Sequence, residues 1–265
     1  MTEGSVAALP ASSPVRVESL EDEGVWRVII GGSRGNVLDA HVVQSLAAVA
    51  RAAADARALK AMILVGDGEH FSFGASVQEH LPDQAEGMLQ GFHGALRALV
   101  DSSVVCLAAV RGQCLGGGLE LALICHRIFA APSAQLGQPE IALGVFAPVA
   151  SVLLPERVGR GHAEDLCLSG RSVDAVEAMA MGLVDACEVD PMAAALAWAR
   201  RHLLPRSASS LRLAVRALRQ GVRRRLDEEL RDVERLYLEE LMKTRDAEEG
   251  VRAFLEKRPP RWDDA

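Results

Sequence analysis

The run SVVCLAAVRGQCLGGGLELALICH, Ser103 to His126, limits the fold of this chain more than any other. An apolar, β-branched stretch stops at Gly112, three glycines follow at Gly116–Gly118, and a leucine-rich segment then opens around one acid, Glu120. Strand, glycine cluster and helix in that order bring unpaired N–H groups and the positive end of a helix dipole to the end of a strand. Without Cβ atoms a ligand can approach that backbone closely. Such a turn binds anions, or stabilises negative charge on an oxygen as it forms. It is not a phosphate loop, because neither Gly-Lys-Ser/Thr nor GxGxxG spacing is present. On the glycines alone, tight packing of helix on strand accounts for the run equally well. Glu120 can be explained by the helix dipole, worth about 0.3–1 kcal/mol, or by chemistry.

Two further stretches favour chemistry. In AQLGQPEIALG, Glu140 follows Pro139 in a glycine-flanked loop after the next expected strand. Loops mounted on a rigid sheet are where catalytic groups are commonly held. Two carboxyls over a donor-rich pocket can share one water, one taking its proton while the other holds or gives a proton. In HFSFGASVQEH, Gly74 allows a sharp turn that aims the N–H of Ala75 toward the same place. Two backbone donors from separate glycine turns form an oxyanion hole. An ordinary strand-to-helix connection is the other reading of that stretch.

The surrounding pattern is that of a mixed α/β domain. Strands are expected over 25–31, 58–66, 103–112 and 126–132, with helices over 38–56 and from Pro82, at the first turn, to Leu99. Past Gly144 the pattern becomes helix after helix, separated by short Gly or Pro breaks. With 265 residues, nearly half of them hydrophobic, the chain buries a full core. Residues 1–15 read as a loose leader with neither a basic start nor a sustained apolar run, so a secretory signal is not expected. No apolar run approaches the roughly 20 residues that a membrane span needs.

Charge and cysteine content narrow the partners. A net charge of −7 argues against nucleic acid as the main partner. The five cysteines form no CxxC pair and read as buried, reduced thiols of a cytoplasmic protein, without metal. The segment Arg206–Leu226 runs against the acidic average. Arg212, Arg216, Arg219 and Arg223 recur on one helical face, with Leu211, Val215, Leu218 and Val222 on another. This predicts an amphipathic helix with a solvated basic stripe; a place beside phosphates is the second reading.

Taken together, HFSFGASVQEH, GQCLGGGLELA and AQLGQPEIALG resemble the crotonase, or enoyl-CoA hydratase/isomerase, superfamily, in order and from Arg27 to Trp262. The resemblance implies a crotonase-like ββα superhelix over residues 16–205 and a helical C-terminal oligomerisation region over 206–265. It implies that Glu120 and Glu140 are the paired acid/base residues, and that the N–H groups of Ala75 and Gly117 hold the thioester oxygen of an acyl-CoA. CoA contacts are implied for Arg34, Gly35, Val37, Phe73 and Ala75, and an acyl pocket for Phe73, Val77 and Phe146. No metal or redox cofactor is implied, since CoA is part of the substrate. A homotrimer, or a hexamer of paired trimers, is implied, in which the arginine-rich helix and Lys257 approach a neighbour's CoA phosphates.

The resemblance is narrower than the superfamily. FSFGASVQEHLPDQ, LGQPEIALGVFAP, ASVLLPERVG, LCLSGRSVD and the tail around LYLEELM and AFLEKR are similar to members that hydrate a conjugated cyclic dienoyl-CoA in benzoyl-CoA breakdown. Ser76 stands where straight-chain hydratases usually carry aspartate, and Val145–Pro148 replaces their Pro-Gly-Gly type loop. His126 replaces an aspartate common after the helix cysteine and is expected to be a local structural variant. The alternatives are a hydratase for a linear or branched 2-enoyl-CoA and a non-catalytic RNA-binding protein on the same fold. A serine peptidase on this fold lacks support, because His70, His80 and His93 have no glycine-framed serine partner.

Overall fold

The computed structural model describes residues 9–10 and 12–264. Most of the expected leader, residues 1–8 and 11, therefore lies outside the described residues. Among the described residues, nine strands form two sheets. Six of them, β1 (Val15–Leu20), β2 (Val25–Ile30), β3 (Ala61–Gly66), β4 (Val105–Val110), β6 (Arg127–Ala130) and β9 (Ala186–Cys187), make the large sheet in that spatial order. The small sheet takes β5 (Gln113–Leu115), β7 (Gln135–Gly137) and β8 (Ser172–Asp174). From β2 to β9 the large sheet is parallel, and only β1 runs antiparallel, against β2.

The two sheets grow together. Ser72, just past β3, bridges Cys114 of β5, and β5 pairs with β7. Each pass of the chain thus lays one strand in the large sheet and a short one in the small sheet before a helix returns it. The helices of these passes are α1 (Ala40–Asp55), α2 (Ala85–Asp101) and α3 (Gly117–Leu123). That is the expected ββα superhelix. The continuous apolar run of β3 follows from burial on both faces: Met62 and Leu64 join one core cluster, and Ala61, Ile63 and Val65 the other.

The C-terminal half supplies α4 (Pro148–Val158), α5 (Arg160–Ser169), α6 (Ala175–Ala180), α7 (Pro191–His202), α8 (Ala208–Leu218), α9 (Gln220–Arg224), α10 (Leu230–Arg235) and α11 (Arg245–Leu255). Two π-helical turns, Arg225–Glu229 and Leu236–Glu240, flank α10. No helix among the described residues is long and apolar enough to cross a membrane.

Two local expectations are corrected. The second helix begins at Ala85, not at Pro82, because the N–H groups of Gln84 and Ala85 both donate to the Leu81 carbonyl and close a turn first. The arginine stripe does not form one solvated face. Arg212 donates to the carbonyls of Ala53 (2.9 Å), Ala56 (2.6 Å) and Ser102 (3.0 Å), capping the end of α1, whose last turn carries no basic residue of its own. Arg219 is buried, Arg223 pairs with Asp101, and Leu218 is 79% exposed. The helix breaks between α8 and α9, so the period that joins these positions in sequence does not continue in space.

Candidate active site

A cavity of about 690 Å³ opens where the Gly74 turn, the end of β5, the turn after β7 and the last helix meet. Gly74 has φ +100°, a conformation that a residue with a side chain rarely adopts, and a Cβ there would sit 2.8 Å from the Leu115 carbonyl. That close approach brings two amides side by side: a Cβ on Gly74 would lie 3.2 Å from the Gly117 nitrogen, and one on Gly117 would lie 3.0 Å from that of Ala75. Gly117 opens α3, so its N–H has no acceptor within the helix.

Gly116, with φ +52°, leaves the space that the Glu140 carboxyl fills. Glu140 stands on a 3₁₀ turn, Pro139–Leu143, and not in the open loop that the sequence suggests. Gln138, wholly buried two residues earlier, donates from its amide to both Glu140 oxygens, at 3.0 and 3.2 Å. Glu140 lines the cavity. Glu120 lies deeper, 4% exposed, in the first turn of α3. Its Oε1 accepts the Ala150 N–H at 2.9 Å, and it also accepts from Val149, so the first turn of α4 directs its free N–H groups at this carboxyl.

The two acids differ in their surroundings. Burial pushes the Glu120 carboxyl up, while the charge of His93 and the two α4 amides draw it back toward the ionised form. Burial pushes Glu140 up to about 8, and the neighbouring Glu120 charge adds to the rise. Burial thus raises both carboxyls and each charge acts on the other, so the pair holds protons jointly and can divide the work of base and acid.

The other site residues separate into those on the cavity wall and those off it. Val37, Phe73, Ala75 and Val77 line the cavity, as does Ser76. Arg34 is exposed on the turn before Gly35 and is not part of the wall; the Gly35 carbonyl accepts the Phe73 N–H at 2.8 Å. Phe146 is also off the wall, its ring edge-on to Tyr237 with centroids 5.2 Å apart. His126 is off the cavity wall and lines a separate pocket: its Nδ1 accepts the Cys106 N–H at 3.0 Å, beside α4 and Arg219, and burial pushes it down to about 3.

Sequence reasoning missed three groups here. Gln138 lies inside the GQPE stretch and was visible as a polar residue beside the acid. Tyr237, held by the second π turn, is buried with a hydroxyl that finds no partner among the described residues. Burial and the charges of Glu140 and Glu120 push its phenol above the ordinary range. His93 is the third. C-terminal Phe254, Leu255 and Arg258 complete the cavity, and Arg258 is itself held by Glu249 at 2.5 and 2.8 Å.

Comparison with known proteins agrees with this geometry. The family model for enoyl-CoA hydratase/isomerase matches residues 22–265. A cyclohexa-1,5-dienecarbonyl-CoA hydratase of Thauera aromatica is 51% identical over 253 residues, covering 96% of this chain and 98% of that protein. A probable enoyl-CoA hydratase of Rhizobium meliloti is 35% identical, covering 84% and 88%. The crystal structure of an enoyl-CoA hydratase from Mycobacterium avium subsp. paratuberculosis superposes with a TM-score of 0.82 at 28% identity, covering 95% of this chain and 99% of that one. The chain belongs to the enoyl-CoA hydratase/isomerase family.

Proposed function

We propose that this protein hydrates cyclohexa-1,5-diene-1-carbonyl-CoA to 6-hydroxycyclohex-1-ene-1-carbonyl-CoA, a step of benzoyl-CoA breakdown. The observation that carries the substrate is the 51% identity along nearly the whole chain to a hydratase of that name. The amides of Ala75 and Gly117 hold the thioester oxygen, and negative charge that develops there is stabilised by donors already in place. Glu120 takes a proton from water as its oxygen bonds to the carbon β to the carbonyl. The ring electrons shift, and the far end of the diene takes a proton from Glu140. Glu120 ends protonated and Glu140 ionised, and exchange with solvent resets them. The thioester carries its own CoA, so no further cofactor enters these steps.

Phe73 and Val77 lie on the wall that would meet a flat ring, and CoA would run past Val37 toward Arg258. Assembly as a trimer or paired trimers in the cytoplasm is part of the same reading. The C-terminal helices leave Leu213 and Leu218 exposed, apolar positions that a subunit contact would cover. Mass photometry of the purified chain tests this, and a monomer at micromolar concentration would end it.

The substrate is tested by comparing hydration of the cyclic dienoyl-CoA with that of crotonyl-CoA. The expected kcat/KM favours the cyclic diene, and a strong preference for crotonyl-CoA overturns the assignment in favour of a straight-chain hydratase. Glu120→Gln and Glu140→Gln are each expected to lower turnover by about 10²–10⁴-fold while acyl-CoA binding persists. Near-normal turnover in both removes the paired-carboxyl mechanism.

A further inference from the structure

The chain stays folded past the end of α11. Lys257 takes φ +54°, the Arg258 N–H donates back to the Ala253 carbonyl at 2.9 Å, and the Lys257 N–H donates to that of Phe254 at 3.1 Å. These two bonds close the helix on a left-handed residue, and Pro259 and Pro260 cannot extend it. The tail then folds back along α11, held by two acids of that helix. Glu249, which grips the Arg258 guanidinium, also accepts the Arg261 N–H at 2.8 Å. Asp246 accepts the N–H groups of Asp263 at 2.7 Å and Asp264 at 2.9 Å. Between these two anchors lies Trp262.

Its indole rests where two glycines leave room. A Cβ on Gly144 would lie 3.1 Å from Trp262 Cζ3, and one on Gly250, in α11, would lie 2.9 Å from Cη2. The bare face of Gly250 also meets the Leu143 carbonyl, the last of the 3₁₀ turn that carries Glu140. Gly144 closes that turn. Its N–H donates to the Ile141 carbonyl at 3.1 Å, and the next amide, that of Val145, donates to the Glu140 carbonyl at 3.2 Å. None of the five residues Pro139–Leu143 is completely buried. A segment with so little core of its own depends for its order on what is laid over it.

We propose that Trp262 is a positioning residue of the reaction: laid across Gly144 and Gly250, it clamps the Glu140 turn to α11 and so keeps the Glu140 carboxyl in its working place. This rests on the hydratase reading above and adds to it a residue outside the cavity wall. The clamp is local. Asp246 and Glu249 fix the tail on either side of the ring, and both belong to the helix that Gly250 joins to the turn. Arg258 and Pro260 of the same tail line the cavity, so one short segment both walls the cavity and steadies an acid that works in it.

The test uses the full-length chain with Trp262→Ala, with Trp262→Phe and with Asp246→Ala, which frees the end of the tail and leaves the ring unchanged. Trp262 is 43% exposed, so its replacement opens no hole in the core. Hydrogen exchange over residues 138–146, read by mass spectrometry, follows the turn and needs no activity. Hydration of the cyclic dienoyl-CoA separates kcat from KM, and binding of cyclohexanecarbonyl-CoA, a saturated thioester that cannot be hydrated, reports the cavity. In Trp262→Ala and Asp246→Ala, exchange over the turn is expected to rise about tenfold and kcat to fall about tenfold or more. Thioester binding is expected to stay within about threefold of wild type, as for a residue that orients a reacting group. Trp262→Phe keeps a ring over the two glycines and is expected to recover most of both losses. Exchange that matches wild type overturns the proposal even if turnover falls, and so does raised exchange with kcat unchanged. A loss confined to KM and thioester binding also overturns it and makes the tail a cavity wall only. Should Trp262→Ala fail to fold, the same readouts on Asp246→Ala decide. If wild type hydrates no acyl-CoA while exchange over the turn still rises in the variants, the hydratase reading fails and the clamp stands.

Discussion

The carboxyl of Glu140 fills the space that a side chain on residue 116 would need: a Cβ built on Gly116 falls against Glu140 Oε1. The first glycine of the cluster therefore serves the second acid as much as any ligand. Gly116→Ala must also accommodate φ +52° with ψ −126°, a strain of about 1–3 kcal/mol. The variant is expected to fold with a lowered Tm and to lose about 10²-fold in kcat, because a displacement near 1 Å is enough to misalign the acid. Activity within twofold of wild type would show that Glu140 does not need this seat.

Burial of Glu140 links its proton to stability. Its folded-state value, about 8, lies above the ordinary 4.5, so the folded chain binds this proton more tightly than the unfolded chain. The stabilisation from that proton is complete below about 4.5 and is lost as the pH rises through about 8. Glu140→Gln removes the titration. Its Tm is expected to match wild type near pH 4 and to exceed it increasingly toward pH 8, where the gap in unfolding free energy is on the order of a few kcal/mol and levels off. A constant difference in Tm across that range, measured by calorimetry, would place the Glu140 titration elsewhere.

Gln138 donates to both oxygens of Glu140, and a donor to a carboxylate favours its ionised form. Gln138→Leu keeps the volume and removes the donor. We expect kcat to fall about tenfold or more with KM nearly unchanged, as for an interaction that orients a reacting group and does not bind substrate. The basic limb of the pH profile is expected to move upward, since Glu140 then holds its proton longer. A rise in KM with kcat unchanged would assign Gln138 to substrate binding instead.

The parts of the site that were legible in the sequence are those carried by local chain. Glu120 and its glycines share one strand–turn–helix unit, and Gly74 with Ala75 shares another, so turn chemistry and helix polarity marked them as candidates and the resemblance in order along the chain gave them roles. Gln138 was within reach, two residues from Glu140. The His93–Glu234 pair was not, because 141 residues separate its members and no period or motif ties them. Strand β1 also went unread, since VRVESL alternates weakly and finds its place only by pairing with β2. The arginine stripe failed for a related reason: helical spacing was carried across a break that lies at Arg219.

That misread stripe has a consequence for stability. Arg212 reaches the carbonyls of Ala53, Ala56 and Ser102, closing the C-terminal ends of α1 and α2 from a helix more than 100 residues away. Of these carbonyls, that of Ala56 also accepts the Leu59 N–H at 3.0 Å, and α1 offers no basic residue of its own in its last turn. Arg212→Met retains most of the apolar stem but leaves the carbonyls without their charged donor. The expected cost is about 1–3 kcal/mol of unfolding free energy, read as a lower urea midpoint at unchanged m. Because Arg212 contacts the ends of α1 and α2 and is not on the cavity wall, kcat at temperatures well below Tm is expected to stay at the wild-type value. A wild-type urea midpoint would return Arg212 to the solvated stripe, and a fall in kcat without loss of stability would connect it to the site.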